Sequence, residues 1–444
     1  MRTRLLEDLA GGCVSFGRTA FCSALGALVL AGAAAAEPTT LIDGAGDRAG
    51  HELRGARGLA LDARGNLYVT GFLSHNVFRI APDGSVRQIA DESGDGAGQA
   101  LKSPRGIVVD AGGRVFVAAE MSHALFRIDP DGTVKVVAGG TGRLAGQGLR
   151  RPTHVALGRG GEVYVCGQVS DNVLRVDPDG SVRTLIDVAG DGVHPLQRPN
   201  GLAVDARGNL YVAGAKSRNL FRVSPSGEIA QLVDAKGAGE GAGLEFPDDV
   251  ATDAAGNVYV SGNNSGNVLR IAPDGSVSQV VGPQDPADAV WLGAPTQILP
   301  APGGGLYVAR MGERALYRLE PHGGLRRLLD ETAPDGRRRL QMARGLLVAP
   351  NGDVYVAGLG THNVLRLAAD SLRPQAATGA AQAKRAASRR QAEIDGQAKR
   401  AASRRQAEID GQAKARSEPK ASGDRSPSGS VPVPPVRPPG SARP

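Results

Sequence analysis

Hydrophobic and polar residues form short runs along this chain that recur every 47 or 48 residues. In the first unit, the β-prone runs Leu59 to Leu61 and Leu67 to Val69 are separated by a turn at Gly65, where glycine can adopt a positive φ. A third run, Val77 to Ile80, ends at a Pro-Asp-Gly turn, and a fourth covers Val86 to Ala90. This pattern predicts four antiparallel strands in each unit.

Seven such units follow one another. Their first positions are Gly58, Gly106, His154, Gly201, Asp249, Gln297 and Gly345. In every unit the eighth position is glycine, the eleventh is aromatic and the twenty-second is arginine. Repeats of this length are typical of arrays, and four strands in about 48 residues is the size of one propeller blade. The predicted fold is therefore all-β, a seven-bladed β-propeller, with a solenoid of stacked strands as the competing architecture.

The two ends of the array favour a closed ring. The seventh unit lacks a fourth strand, because residues 369–371 replace the usual Pro-x-Gly turn. The segment Thr40 to Asp47, TLIDGAGD, matches the fourth strand of unit three, Thr184 to Asp191, at seven of eight positions. We expect the N-terminal strand to complete blade seven, since closure removes the unpaired edges of an open array.

Composition divides the chain into three parts. Residues 1–36 carry Arg2 and Arg4, then an apolar stretch and a small-residue site that ends at Ala36. This pattern predicts a secretory signal peptide, with a retained membrane anchor as the alternative, and hence an exported protein that is periplasmic or secreted. Residues 37–372 are the predicted propeller, and residues 373–444 are a basic tail rich in Ala, Arg and Pro.

The formal net charge of +7 comes from this tail. From Ser371 onward, 15 Lys and Arg residues face 6 Asp and Glu residues, so the rest of the chain is slightly negative. The tail contains a 15-residue duplication, QAKRAASRRQAEIDG, and too few large apolar residues to fold alone, so it is predicted to be disordered. It is interpreted either as a solvated linker or as a segment that adheres to an anionic envelope surface, with no specific nucleic-acid role. The protein is expected to be a monomer.

Removal of the signal peptide would leave Cys166 as the only cysteine. A lone cysteine can form neither an internal disulfide nor a thiolate metal site. Cys166 lies in an apolar run and is therefore expected to be inert packing.

Candidate ligand-binding residues lie where the repeat is irregular. The loop entering the innermost strand of each blade is expected to deliver one side chain to the rim of the channel. These rim positions are Arg57, Arg105, Thr153, Asn200, Asp248, Thr296 and Arg344. The neighbouring unit starts add His154, Asp249 and Gln297. Structural positions should repeat, whereas ligand contacts need different groups around a ring, so the rim is the predicted binding site.

The order of the blades predicts a divided rim. In a closed ring, blades seven, one and two bring Arg344, Arg57 and Arg105 together, across the channel from Asp248 and Asp249. Planar guanidinium donors suit carboxylates and phosphates, so a small anionic ligand or a protein partner is expected there. The alternative is that these charges pair with one another and close the channel mouth.

Other recurring polar residues predict structural roles. Asp62 and its equivalents precede turns and are expected to hydrogen-bond the turn backbone. The arginines at position 22 are expected to stack between blades or to pair with carboxylates. His75, His123 and His362 show no metal-ligand spacing, so surface histidines are expected rather than a metal cluster. The sequence contains no nucleophile elbow, P-loop, dinucleotide fingerprint or H-E-x-x-H motif.

Two resemblances carry the fold prediction further. The unit G-L-A-V-D-A-R-G-N-L-Y-V-A-G, followed by N-L-F-R-V from Asn219 to Val223, resembles the NHL repeat, which implies a propeller used as a binding scaffold. Arg-Pro-Thr-His from Arg151 to His154 is similar to streptogramin lyases, another seven-bladed group.

A third resemblance implies metal chemistry. Pro-Asn-Gly around Asn200 and Pro-Asp-Asp around Asp248 are similar to motifs of the senescence marker protein/gluconolactonase family. That resemblance implies that Asn200 and Asp248 bind a divalent cation such as calcium beside a lactone. The positions of the family's third ligand, a glutamate, hold Arg57 and Arg105 instead, and the family has six blades.

Three functions follow from these observations. The leading hypothesis is an exported propeller that binds a small ligand or partner at its rim. The second is a metal-dependent, lactonase-like hydrolase or lyase, in which Glu120 or Asp249 would complete the ligand set. The third is a structural module that its basic tail tethers to the envelope.

Overall fold

The computed structural model describes residues 37–140, 148–239, 241–282, 294–310, 315–321, 324–329 and 338–372. Within these residues, seven antiparallel sheets of four strands each form the blades of a ring, so the predicted seven-bladed β-propeller is confirmed. The predicted signal peptide, residues 1–36, and the predicted disordered tail, residues 373–444, lie outside the described residues. In the described part of the chain, no helix has the length and apolar character needed to cross a membrane.

The strands are numbered in chain order. The innermost strands are Ala56–Leu61 (β2), Pro104–Val109 (β6), Pro152–Leu157 (β10), Pro199–Val204 (β14), Pro247–Thr252 (β18), Pro295–Pro300 (β22) and Ala343–Val348 (β26). The second strands are Leu67–Gly71 (β3), Val115–Ala119 (β7), Val163–Gly167 (β11), Leu210–Gly214 (β15), Val258–Gly262 (β19), Leu306–Arg310 (β23) and Val354–Gly358 (β27). The third strands are Asn76–Ile80 (β4), Ala124–Ile128 (β8), Asn172–Val176 (β12), Asn219–Val223 (β16), Asn267–Ile271 (β20), Leu316–Leu319 (β24) and Asn363–Leu367 (β28). The outer strands are Thr39–Ile42 (β1), Val86–Ala90 (β5), Val134–Gly139 (β9), Val182–Ile186 (β13), Ile229–Val233 (β17), Val277–Val281 (β21) and Leu325–Leu329 (β25).

Strand β1 closes the ring as predicted. It pairs antiparallel with β28, with Ile42 facing Val364 across the two chain ends. The innermost strands β2 and β26 also contact each other, so blades seven and one are neighbours. After β28 the chain enters a short helix, Ala369–Leu372 (α1), in place of a fourth strand. The solenoid alternative is therefore wrong.

The repeated turn residues have the roles that the sequence predicts. The glycine at the eighth position has a φ between +78° and +95° in all seven blades, a conformation that strains residues with a Cβ atom. In the first blade, Asp62 Oδ1 accepts the backbone N–H groups of Arg64 (2.9 Å) and Asn66 (2.8 Å). The hydroxyl of Tyr68 donates to the other carboxylate oxygen (3.1 Å). Asp62 is thus part of the turn, as expected.

The apolar core consists of seven clusters, one in each interface between neighbouring blades. The cluster between blades three and four contains Cys166, which is fully buried against residues such as Val173 and Phe221. Burial raises the pKa of the Cys166 thiol. Cys166 is buried in the apolar core as expected, but its Sγ also accepts the backbone N–H of His154 at 3.3 Å, so it is more than inert packing.

The three loop histidines link neighbouring blades, a role that the expected surface position does not imply. Each accepts, through Nδ1, the backbone N–H that lies three residues before the unit start of the next blade. The pairs are His75 with Ser103 (3.1 Å), His123 with Arg151 (3.0 Å) and His362 with Gly55 (3.0 Å). Between blades three and four, Asp171 Oδ1 accepts the N–H of Arg198 in the same way (2.7 Å). We call these contacts the interblade latches.

Candidate functional site

A cavity of about 200 Å³ lies at the mouth of the central channel, walled by the innermost strands and the residues that precede them. All the predicted rim positions and the three polar unit starts line this single cavity. They are Arg57, Arg105, Thr153, His154, Asn200, Asp248, Asp249, Thr296, Gln297 and Arg344. The structure thus brings together the residues that the sequence analysis assigned to a ligand or metal site, except Glu120, which does not line the cavity.

The unit starts determine the shape of the cavity wall. A Cβ atom added to Gly58 would lie 2.1 Å from the carbonyl oxygen of Arg105, and one added to Gly345 would lie 2.0 Å from that of Arg57. Glycine is required at these starts because the innermost strand packs directly against the backbone of the next blade. In blades three, five and six, the unit starts keep their side chains and add them to the cavity wall.

Arg57 is the distinctive group of the cationic wall. Its guanidinium lies over the ring of Phe72, 5.0 Å from the ring centroid, and makes no hydrogen bond or ion pair with any residue that the structure describes. Burial and the like charges of Arg105 and Arg344 lower the pKa of Arg57. The cavity therefore has a positive potential around this guanidinium.

The second arginine of this wall is paired through Glu120. Arg105 Nη1 lies 3.1 Å from Glu120 Oε2, and Arg151 donates to the other carboxylate oxygen. Although burial opposes ionisation, Arg105 and Arg151 hold the pKa of Glu120 below its usual range. Arg105 Nε is buried without a hydrogen-bond partner among the described residues. Glu120 thus serves as a counter-ion for arginines rather than as a free oxygen ligand.

The opposite wall holds Asp248 in a network of nitrogen donors. Asn200 Nδ2 donates to Oδ1, while Asn263 Nδ2 lies 3.4 Å and Arg344 Nη1 lies 3.6 Å from Oδ2. Burial raises the pKa of Asp248, and the charges of Arg344 and Arg105 oppose this shift.

This arrangement does not fit the divalent cation that the gluconolactonase resemblance implies. Calcium requires six to eight oxygen ligands, but both carboxylate oxygens of Asp248 already face nitrogen donors. Within the described ranges, no group of three or more His, Cys, Asp or Glu side chains converges on a common point. The guanidinium groups of Arg57, Arg105 and Arg344 would also repel a cation.

Beside Asp248, the surroundings of Asp249 and His154 favour the neutral form of each side chain. Burial raises the pKa of Asp249 to about 8, although Oδ2 accepts the backbone N–H of Ile298 at 2.9 Å. Burial and the charges of Arg105 and Arg57 lower the pKa of His154 to about 4. His154 Nε2 lies 3.6 Å from Asp249 Oδ1, so this wall presents a protonated carboxyl next to an uncharged imidazole.

The charges of the cavity do not cancel. Arg105 pairs with Glu120 and Arg344 lies beside Asp248, whereas no described carboxylate pairs with Arg57. The predicted alternative, a rim closed by mutual salt bridges, therefore accounts for two of the three rim arginines.

Apart from Glu120, the sequence analysis missed a second ring of residues around the mouth. These residues occupy position 15 of the repeat, directly after the second strand. They are Phe72, Glu120, Gln168, Ala215, Asn263 and Leu359. Gln168 Nε2 lies 3.5 Å from Asn200 Oδ1, so this ring supports the rim residues. The sequence does indicate this ring, because the residue at position 15 differs from unit to unit whereas the second strand before it is similar in all of them.

Comparisons with known proteins define the fold. No family model and no curated sequence matches the chain, so the resemblances to the NHL and gluconolactonase families remain predictions. A streptogramin B lyase structure superposes with a TM-score of 0.56 and 12% identity over 74% of this chain and 96% of its own. Virginiamycin B lyase from Staphylococcus aureus superposes with a TM-score of 0.57 and 13% identity over 74% of this chain and 98% of its own. The extracellular domain of a two-component system from B. thetaiotaomicron superposes with a TM-score of 0.54 and 10% identity over 72% of this chain and 38% of its own. At these identities the likeness shows a β-propeller fold and nothing more specific.

Proposed function

We propose that this chain is an exported β-propeller that binds a small anionic ligand, a carboxylate or a phosphate, in the cavity at the channel mouth. The observation that carries this proposal is the state of Arg57. Its guanidinium lines the cavity without an ion pair to any described residue, although charges that are held away from water are normally paired. A carboxylate or phosphate would supply the missing counter-charge and can accept two parallel N–H bonds from one guanidinium.

The size and chemistry of the cavity narrow the ligand. A volume of about 200 Å³ is below the range of about 300–1,000 Å³ that drug-sized ligands occupy, so only a small molecule or one end of a larger one enters. On the wall opposite Arg57, the protonated Asp249 offers a donor. Gln297 Oε1 is buried without a hydrogen-bond partner among the described residues and offers an acceptor. An anion that also carries a hydroxyl would match both walls.

The other two functional hypotheses have less support. A metal-dependent hydrolase or lyase would need a cation beside Asp248, where the nitrogen donors and the guanidinium groups are unfavourable to one. A purely structural module is compatible with the stacking of Arg57 on Phe72 but does not require a guanidinium without an ion pair in the cavity. Export is supported by the signal-like pattern of residues 1–36. This pattern predicts that the mature chain begins near Glu37, which can be tested by measuring the intact mass of the protein from periplasmic and culture fractions.

Calorimetric titration tests the binding proposal directly. The ligands are acetate, inorganic phosphate and calcium chloride, and the proteins are the wild type, Arg57→Ala and Arg87→Ala. Arg87 is an exposed arginine on the outer strand of the same blade, so its removal is a matched change of charge. We expect at least one anion to bind the wild type and Arg87→Ala, and to bind Arg57→Ala about 10-fold more weakly or worse, because hydrogen bonds to charged groups contribute about 1.5–3 kcal/mol.

Two results would contradict the proposal. The first is an absence of anion binding by the wild type. The second is tight calcium binding that Asp248→Asn abolishes, which would instead support the metal-dependent hypothesis.

A further inference from the structure

Exposed apolar side chains occur on one face of this propeller. Among the residues that the structure describes, the exposed large hydrophobic side chains are Leu73, Met121, Val169, Val188 and Val193. The first three follow the second strands of blades one to three, and the other two lie in the loop that leads into blade four. All five therefore lie on the face where the chain enters the innermost strands, which is the face of the cavity mouth.

Three of these side chains occupy the same position of the repeat and form what we call the apolar arc: Leu73, Met121 and Val169. They are 53%, 55% and 44% exposed. The same position holds polar or small residues on blades four, five and seven, namely Lys216, Asn264 and Gly360. Among the described residues, the arc is thus confined to blades one to three, the side of the ring that includes Arg57 and Arg105.

Basic residues accompany the apolar arc blade by blade. The backbone N–H of each arc residue donates to the carbonyl of an exposed basic residue in the segment that enters the same blade. The pairs are Leu73 with Arg54 (2.9 Å), Met121 with Lys102 (3.3 Å) and Val169 with Arg150 (3.2 Å). The equivalent residues of blades four, five and seven are Gln197, Glu245 and Gln341. Arg54 and Arg150 therefore add positive charge above blades one and three, whereas Lys102 of blade two is paired with Glu92 at 3.2 Å.

The apolar arc is continuous with the anion site. Leu73 directly follows Phe72, the ring on which Arg57 lies, and Met121 directly follows Glu120, the partner of Arg105. The side chain of Leu73 also covers the backbone at Gly55, two residues before Arg57. A molecule whose charged group contacts Arg57 would place its remaining atoms on these apolar side chains.

We propose that the ligand is an amphiphilic carboxylate, with its charged group at Arg57 and an aliphatic or aromatic body lying on the apolar arc. This inference rests on the proposed anion site. The cavity is too small to hold such a molecule completely, so the body has to leave through the mouth. On blades one to three it exits over Leu73, Met121 and Val169, whereas on blades four and five it would meet Lys216 and Asn264.

A chain-length series tests this inference. Acetate, hexanoate and decanoate are titrated by calorimetry below the micellar concentration of decanoate. Full burial of a methylene group strengthens binding by about fourfold, and the open arc covers each one partly, so we expect decanoate to bind at least about 30-fold more tightly than acetate. Decyltrimethylammonium, with the same chain and the opposite charge, should show no binding at the mouth.

The ratio of the decanoate affinity to the acetate affinity is then measured for a set of variants. The double variant Leu73→Ser/Met121→Ser should lower this ratio by about 10-fold, because the chain loses its apolar contacts. Val193→Ser is the matched control, since Val193 is 80% exposed on the same face but lies outside the arc. That control should keep the wild-type ratio, while Arg57→Ala should weaken the binding of both acids.

Each contrary outcome excludes a specific part of this reasoning. Equal affinities for acetate and decanoate, or an unchanged ratio in the double variant, would overturn the amphiphile and leave the anion site standing. No binding of either acid would overturn this inference, and a lack of phosphate binding as well would remove the anion site itself. Adsorption to vesicles of phosphatidylcholine and phosphatidylglycerol without affinity for monomeric decanoate would also overturn the inference, because the face would then bind a lipid surface.

Discussion

The closure of the ring can be measured with a single pair of substitutions. Ile42 in β1 is 4% exposed and packs with Leu53, Phe78 and Val364 between blades seven and one. Ile186 is its equivalent in the outer strand of blade three and is 2% exposed. We predict that Ile42→Ala and Ile186→Ala destabilise the protein by similar amounts.

The magnitude follows from the burial of the two side chains. Replacing a buried isoleucine with alanine costs about 2–5 kcal/mol, the sum of the lost transfer free energy and the cavity left behind. Because both positions have the same neighbours in the repeat, the two costs should agree to within about 1 kcal/mol. Deleting residues 37–43 should cost more than Ile42→Ala, because the pairing with β28 is also lost, at about 1 kcal/mol for each hydrogen bond.

The assay is equilibrium unfolding in urea, followed by circular dichroism, for the mature chain and the two variants. A substitution at Ile42 that leaves the unfolding midpoint unchanged, while Ile186→Ala lowers it, would show that β1 does not hold the ring closed. Equal shifts at both positions would establish that the N-terminal strand is as firmly packed as an internal one.

Three further predictions concern single residues. The free energy of unfolding of the wild type should fall as the pH rises from about 6.5 to 8 and should be nearly flat there in Asp249→Asn, as measured by urea unfolding at each pH. The pKa of Asp249 is raised to about 8 in the folded protein, so in this range the folded chain keeps a proton that the unfolded chain has already released. The lowered pKa of His154 changes the free energy of unfolding in the opposite direction, but only below about pH 6.5. His123→Asp should preserve the midpoint, because Asp171 makes the same interblade latch at a similar positive φ. His123→Leu should cost about 1 kcal/mol for the lost latch, in addition to the strain of leucine at φ 54°, and equal midpoints for both variants would show that the latch contributes nothing. Cys166→Ser should be tolerated, because blades one and five carry hydroxyls at this position that accept the equivalent N–H. Cys166→Val should cost about 1–3 kcal/mol, because it leaves the N–H of His154 without an acceptor, and the melting temperatures of the two variants measure the difference.

The fold was predictable because each repeated residue answers one physical requirement. A glycine recurs at position eight because the turn needs a positive φ there, and Asp62 recurs because its carboxylate satisfies the same turn. The match between the N-terminal segment and the outer strand of unit three predicted closure, since both strands meet equivalent neighbours.

The residues that line the cavity could be predicted from the sequence, but the pairing of their charges could not. The variable rim positions identified its lining, because ring geometry places one such residue per blade around the axis. Which arginine lacks a partner could not be read from the sequence, since it depends on Glu120 reaching Arg105 and Arg151 from the second ring. The latch role of His123 was hidden for the same reason, because its partner is a backbone N–H of the next blade.

The pairing of β1 with β28 also determines when the ring can close during the life of the protein. Ile42 is among the first residues of the propeller to be synthesised, and its partner Val364 follows about 320 residues later, which takes the ribosome roughly 16–64 s at about 5–20 residues per second. Throughout that time the first strand has no partner and the last blade does not exist. The cavity at the channel mouth, whose wall joins Arg57 of the first blade to Arg344 of the last, is therefore assembled only after the whole propeller has left the ribosome.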